Sequence, residues 1–188
     1  MNLKEEIQKY KPYNAQEEKD KEIMLKYIET FEDMLTRNNE FGHFTASSWV
    51  VNKEKTKVLM IYHNLYKSWA WTGGHADGEN DLLGTAIREL KEETGVKNVK
   101  VLSDGIFSLE NTAVSGHMKK GKYVSSHVHL NLTYLLEVDE NETLKSQEDE
   151  NSGVKWINIE DVEKASNEEW MINTIYKKLN EKLKNYKG

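Results

Sequence analysis

The stretch Gly73–Val96, GGHADGENDLLGTAIRELKEETGV, decides how the rest of the chain is read. A glycine pair opens it, and a run of helical period follows. Leu82, Leu83, Ala86, Ile87 and Leu90 form one continuous apolar face; Asn80 or Asp81 can cap its start, and Gly95 suits a left-handed C-terminal stop. At about 100° per residue, Glu89, Glu92 and Glu93 fall within an arc of roughly 100° beside that face. Carboxylates crowded in this way repel one another, and Arg88, four residues before Glu92, offsets only part of the repulsion. Taken alone, such an arc is either a solvated acidic face or a set of oxygen ligands for a hard divalent cation.

Composition narrows what the stretch can belong to. A chain of 188 residues suits one domain of ordinary size with an appendage. No apolar run approaches the roughly 18 residues of a membrane span, and MNLKEEIQKY lacks the apolar centre of a signal peptide. Without cysteine there is no thiolate metal site, disulfide or cysteine nucleophile, and a cytoplasmic location is expected. A formal charge of −6 without a basic stripe argues against a general nucleic-acid binder, so no nucleic-acid partner is expected.

Toward the N-terminus, Asn14 and Glu17 have the spacing of a capping box. Met24, Tyr27, Ile28, Phe31, Met34 and Leu35 then predict an amphipathic helix over about 15–37, ended by Asn38 and Asn39. This makes residues 1–40 a helical extension ahead of a domain at 41–188. The helix can pack on its own domain or serve as the surface of a homodimer. Phe44–Val51 and Val58–His63 predict a β-hairpin. Trp69 and Trp71, just before the glycines, can fill the core or line a cleft where a flat base stacks.

The order of glycine turn, spacer and Arg-Glu-Leu-x-Glu-Glu-x-Gly-Val favours the metal reading. Gly74, Arg88, Glu89, Leu90, Glu92, Glu93, Gly95 and Val96 resemble the signature of the Nudix (MutT-like) hydrolase family. One position departs: Asn80 stands where the family has its first Glu, with Glu79 beside it. The resemblance implies an α/β fold, an α/β/α sandwich around a mixed β-sheet. It implies a Mg²⁺-dependent hydrolase, with Mn²⁺ a substitute, that cleaves a diphosphate linkage in a small-molecule substrate, a nucleoside diphosphate derivative or related phosphorylated metabolite, by attack of water on phosphorus. Glu89, Glu92 and Glu93 would be metal ligands, with Arg88 orienting one of them and Glu92 or Glu93 also a candidate general base. A carboxylate ahead of a tryptophan-bearing strand serves in several members, and Glu150, six residues before Trp156, is the choice, with Glu148 a second. In the family that Glu helps to hold the Arg; Asn80 can accept the same hydrogen bond from Arg88, with Glu79 supplying the charge. The departure also motivates a second reading, a non-catalytic Nudix-like module that binds or senses a nucleotide or phosphorylated metabolite.

Downstream, Val99–Val101, Gly105–Val114 and Val124–Val138 are rich in strand formers. His127, His129, Asn131 and Thr133 alternate with apolar residues, so they share one face. That face is either solvated or the floor of a substrate cleft, His127 and His129 offering donors; a two-histidine metal site is the minor reading, since Mg²⁺ prefers oxygen. The basic loop Gly116–Lys122, with Lys119, is a solvated hairpin tip or a lid that attracts polyphosphate. From Ile159 onward, Val162, Trp170, Ile172, Ile175, Leu179 and Leu183 predict one or two covering helices.

Overall fold

The computed structural model describes residues 2–119 and 121–186. Helices α1 (Leu3–Lys9) and α2 (Ala15–Thr30) come first, each started by an asparagine. Asn2 accepts the Glu5 N–H at 2.9 Å and Asn14 the Glu17 N–H at 3.0 Å. The capping box is displaced by one residue, because Glu17 accepts the N–H of Tyr13, at 2.7 Å, rather than that of Asn14.

Helix α2 ends at Thr30, one turn or more before the apolar stripe does. Phe31 is extended, at φ −120° and ψ 124°. The Met34 carbonyl accepts the Phe44 N–H at 2.8 Å and the Leu35 carbonyl accepts the Gly78 N–H at 2.9 Å. Tertiary backbone pairing thus replaces the last helical turn and carries Arg37 across to Asp77, whose two carboxylate oxygens accept from Nε and Nη2 along one edge of the guanidinium.

The predicted hairpin is present as β1 (Gly42–Val51) and β2 (Lys57–His63), which pair at Val51 and Val58. The two then diverge. β3 (Ser68–Ala70) pairs with β2 and β4 (Thr72–His75) pairs with β1, so Trp71 joins them across the opening, and the expected glycine turn is instead strand: Gly73 and Gly74 pair with Ser47 and Ala46. Helix α3 (Leu82–Thr94) follows. After β5 (Lys100–Val101) and β6 (Ser108–Val114), the basic loop forms a small hairpin of β7 (His117–Lys119) and β8 (Lys122–Val124). Ser125 and Ser126 separate β8 from β9 (His127–Glu137), so the predicted run Val124–Val138 is not one strand. Lys120 lies outside the described residues.

β9 runs parallel to β1 along all ten of its residues, while the other pairings of the sheet are antiparallel; the eight-stranded sheet is therefore mixed. β10 (Asn151–Asn158) pairs with β2 through an irregular start. The chain continues through a 3₁₀ turn (Ile159–Asp161), α4 (Val162–Ala165), α5 (Glu169–Met171), a π-helical turn (Ile172–Tyr176) and α6 (Lys177–Lys184).

Strand alternation gives the sheet two apolar faces. Phe44, Ala46, Leu130 and Leu132 pack against α1, α2 and α3 through Ile7, Met24, Ala86 and Leu90. On the other side, Trp49, Met60 and Leu135 meet Ile175, Tyr176, Leu179 and Leu183. This is the α/β/α sandwich that the resemblance implied. A polar seam crosses it: Lys178 lies 3.2 Å from Glu17 and 3.0 Å from Glu110, and Lys182 lies 2.9 Å from Glu17. Burial alone would raise the Glu17 carboxyl, but the two lysines outweigh it and hold it at about 2. Among the described residues, no helix is long and apolar enough to cross a membrane.

Candidate active site

Helix α3 is fixed at both ends and along one face. Asp81 accepts the Gly84 N–H at 2.8 Å, Gly95 takes φ 75°, and Leu82, Ala86 and Leu90 are buried. The acidic arc therefore has a set direction. Glu93, at its edge, is only 4% exposed, and its Oε2 accepts the Gly73 N–H at 3.0 Å. Glu89 packs over Gly74: a β-carbon there would stand 2.6 Å from each carboxylate oxygen. Glu92 is half exposed. The first residue of β10, Asn151, donates to the Glu93 carbonyl at 3.0 Å, which sets the preceding Glu150 beside the end of the helix.

The electrostatics match this crowding. Burial raises the Glu93 carboxyl well above the ordinary range; the Gly73 N–H opposes, and Glu89, Glu150 and Glu92 add to the rise. Burial also raises Glu89, with Arg88 opposing and Glu92 and Glu150 adding. Arg88 reaches Glu89 Oε1 at 2.7 Å and comes within 3.7 Å of Glu92 Oε2. Among the described residues, neither Asn80 nor Glu79 bonds Arg88, so the arginine is held from its own helix and not by the position that departs from the motif.

Sequence reasoning missed a second arginine. Arg37, paired with Asp77, is close enough for its charge to be felt at Glu89 and Glu150. No spacing rule could have found it, because the unwound segment after α2 brings it there.

The other predicted residues divide. Trp71 is half buried, its ring edge-on to Tyr176 at 5.9 Å between centroids, within the core on the C-terminal helix side. Lys119 is exposed on the β7–β8 hairpin, and its charge bears on His63, His75 and His129. The polar half of β9 is neither wholly solvated nor wholly cleft. Asn131 and Thr133 are buried and bonded to the Glu110 carboxylate at 3.2 and 2.9 Å. A buried carboxylate on the neighbouring β6 needs internal donors, and these two supply them beside Ser108 and Lys178.

His127 and His129 face a group that includes His43 and His75. Their Nε2 atoms lie 3.1 Å apart, and His43 stacks on His127 at 5.0 Å. Burial, with neighbouring Arg37 and His43, lowers His75 to about 3. Burial and the other three histidines lower His129 to about 2. Gly74 turns its empty side toward Glu89, and by strand alternation His75 turns to the opposite side.

The profile of the NUDIX domain family matches residues 42–178. The chain belongs to the Nudix family. An RNA pyrophosphohydrolase of Pelagibacter ubique is 33% identical over 117 residues, which cover 60% of this chain and 74% of that one. With that relative, family membership makes the chain a Nudix pyrophosphohydrolase. The Nudix fold is shared with a solved NUDIX-family hydrolase of Clostridium perfringens, at 25% identity and TM-score 0.53 over 76% of this chain and 97% of that one. It is shared too with the dihydroneopterin triphosphate pyrophosphohydrolase of E. coli, at 13% identity and TM-score 0.56 over 76% and 96%.

Nudix enzymes use divalent metal ions, and the acidic arc is chemically suited to one. Burial and mutual repulsion leave Glu89 and Glu93 short of positive charge, with Arg88 the one cation bonded to the arc among the described residues. All the ligands on offer are hard carboxylate oxygens. Their ligand atoms do not all lie within 4.8 Å of one another, as those of three of the histidines do. Mg²⁺ tolerates this, since it keeps several waters and binds through one or two carboxylates plus substrate phosphates.

Proposed function

We propose that this Nudix enzyme is a Mg²⁺-dependent hydrolase of a diphosphate linkage in a nucleoside diphosphate derivative or related phosphorylated metabolite. The observation that carries the reading is the bond and the contact that seat two glutamates against the glycine pair of β4: Glu93 on the Gly73 N–H, and Glu89 over Gly74. Glu89, Glu92 and Glu93 would hold the cation, with Mn²⁺ a substitute. When bound, it would neutralise phosphate charge and make water more acidic. Arg88 orients Glu89. Glu92, Glu93 or Glu150 takes the proton from the attacking water, a new oxygen–phosphorus bond forms, and the anhydride bond breaks to release two phosphate-bearing products. Lys119, exposed on the β7–β8 hairpin, supplies positive charge for the substrate phosphates; Trp71, packed edge-on to Tyr176 in the core, is left out of the substrate surface. The N-terminal helices share the sheet's core, so we read residues 2–40 as part of one folding unit with the family-matched region.

The test is a panel of nucleoside diphosphate derivatives, together with RNA carrying a 5′-triphosphate because the Pelagibacter relative is an RNA pyrophosphohydrolase. Turnover should require Mg²⁺, stop with chelator, and fall sharply in folded Glu92→Gln. Tight binding in calorimetry without product from any member of the panel would replace this reading with a sensing module.

A further inference from the structure

We propose that His43, His75, His127 and His129 form a second metal site, one that takes a borderline transition ion of the Zn²⁺ class and not Mg²⁺. The strand registers build it. On β1, His43 pairs across to His129 of β9, Thr45 pairs across to His75 of β4, and His127 lies two residues from His129 on the same face. Adjacent strands thus bring His43, His75 and His129 together from three directions, with His127 beside His129 at the edge. The ligand nitrogens of His43, His75 and His129 all lie within 4.8 Å of one another, and His127 adds its Nε2 at 3.1 Å from that of His129.

The hydrogen bonds prepare these rings as ligands. His43 Nδ1 lies 3.1 Å from the Asn39 carbonyl, and His127 Nδ1 lies 2.8 Å from the Ser125 carbonyl. A carbonyl only accepts, so both Nδ1 atoms carry the proton and both Nε2 atoms present lone pairs. That is the arrangement by which a carbonyl behind a metal-binding imidazole fixes its tautomer. The His43 Nε2 has no hydrogen-bond partner although the residue is only 4% exposed. A buried acceptor left unpaired is costly. A cation at the centre of the cluster resolves it.

Imidazole nitrogen selects the ion, since it suits Zn²⁺, Ni²⁺ and Cu²⁺, whereas Mg²⁺ demands oxygen. Positive charge from Arg37 and from Lys119 on the exposed hairpin opposes any cation, and Asp77, bonded twice to Arg37, offsets part of it. The site is separate from the acidic arc, because His75 and Gly74 face opposite sides of β4. It does not depend on which diphosphate is cleaved.

The test is binding of Zn²⁺ and Co²⁺ to the full-length protein in excess Mg²⁺. Calorimetry should find Zn²⁺ bound in the presence of millimolar Mg²⁺, and bound Co²⁺ should show visible absorption bands of nitrogen ligation. Folded His129→Gln should weaken binding at least about tenfold. Glu92→Gln should leave both the affinity and the Co²⁺ spectrum unchanged. His127→Ala, at the more open edge of the cluster, gives the same reading if His129→Gln does not fold. The proposal is overturned if Mg²⁺ competes the ion away, if Glu92→Gln removes it, if the histidine variants bind as the wild type does, or if no ion binds.

Discussion

The Glu89 carboxylate lies over Gly74, with both oxygens 2.6 Å from where a β-carbon at that position would stand. Gly74 cannot retreat, because its strand is paired to Ala46 of β1. In Gly74→Ala the glutamate has to move. Displacing a ligand by about 1 Å can cost about 10²-fold in rate, and that loss is expected in kcat with Mg²⁺ present. Local overpacking should cost about 1–3 kcal/mol of stability. Turnover and urea unfolding of the same preparation separate the two effects; wild-type kcat would mean that the seat of Glu89 is unimportant.

Glu93 should show the opposite balance. Burial and three other carboxylates oppose its charge, and a glutamine would still accept the Gly73 N–H. Glu93→Gln is expected to leave the unfolding free energy unchanged or raise it by about 1 kcal/mol. Its turnover should fall about 10²-fold or more. A variant both active and destabilised would reverse the assignment.

Arg88 is held by glutamates of its own helix, at 2.7 Å from Glu89 and 3.7 Å from Glu92. Asn80→Ala is therefore expected to stay within about 0.5 kcal/mol of wild-type stability, as exposed substitutions do, and to keep kcat. Arg88→Ala should lower kcat with little change in melting temperature. A kinetic defect in Asn80→Ala equal to that of Arg88→Ala would show that Asn80 anchors the arginine during turnover.

Acid should find Glu17. Its folded pKa of about 2 lies below its ordinary 4.5, so its stabilisation is complete above about pH 4.5 and is lost as pH falls through about 2. The amount is about 3 kcal/mol. Glu17→Gln should lose it at neutral pH and leave Lys178 and Lys182 with one carboxylate fewer, so the whole cost is about 3–5 kcal/mol. Urea midpoints measured from pH 7 down to 2 check this: the variant should start lower and lack that part of the acid slope.

Local signals were legible wherever structure is local. Asp81, Gly95 and the apolar face of α3 state that helix in the sequence, and its four charged signature residues follow from it. The β1–β2 hairpin is as plain, because the turn between its strands is short. Non-local pairing was not legible. Met34 and Leu35 keep helical spacing, yet their carbonyls serve Phe44 and Gly78, so the helix stops early and Arg37 enters the site. The parallel match of β1 with β9 joins His43 to His129, residues 86 positions apart, and no period in the sequence reports it. Nothing in the sequence marks Lys178 and Lys182 for burial; the fold sets them against Glu17 and Glu110.

Those two lysines bind the last helix to the second. Glu17 precedes the family-matched span 42–178, and Lys182 follows it. A truncated protein cut to that span would keep Glu110 and Lys178 inside but strip away Glu17, the carboxylate that Lys178 shares with Lys182. Removing only the tail would strand Glu17 with one cation fewer, and removing only the head would strand Lys182. The two ends of the chain are thus a single unit for deletion: trimming either should weaken the hold on the other and expose it to protease.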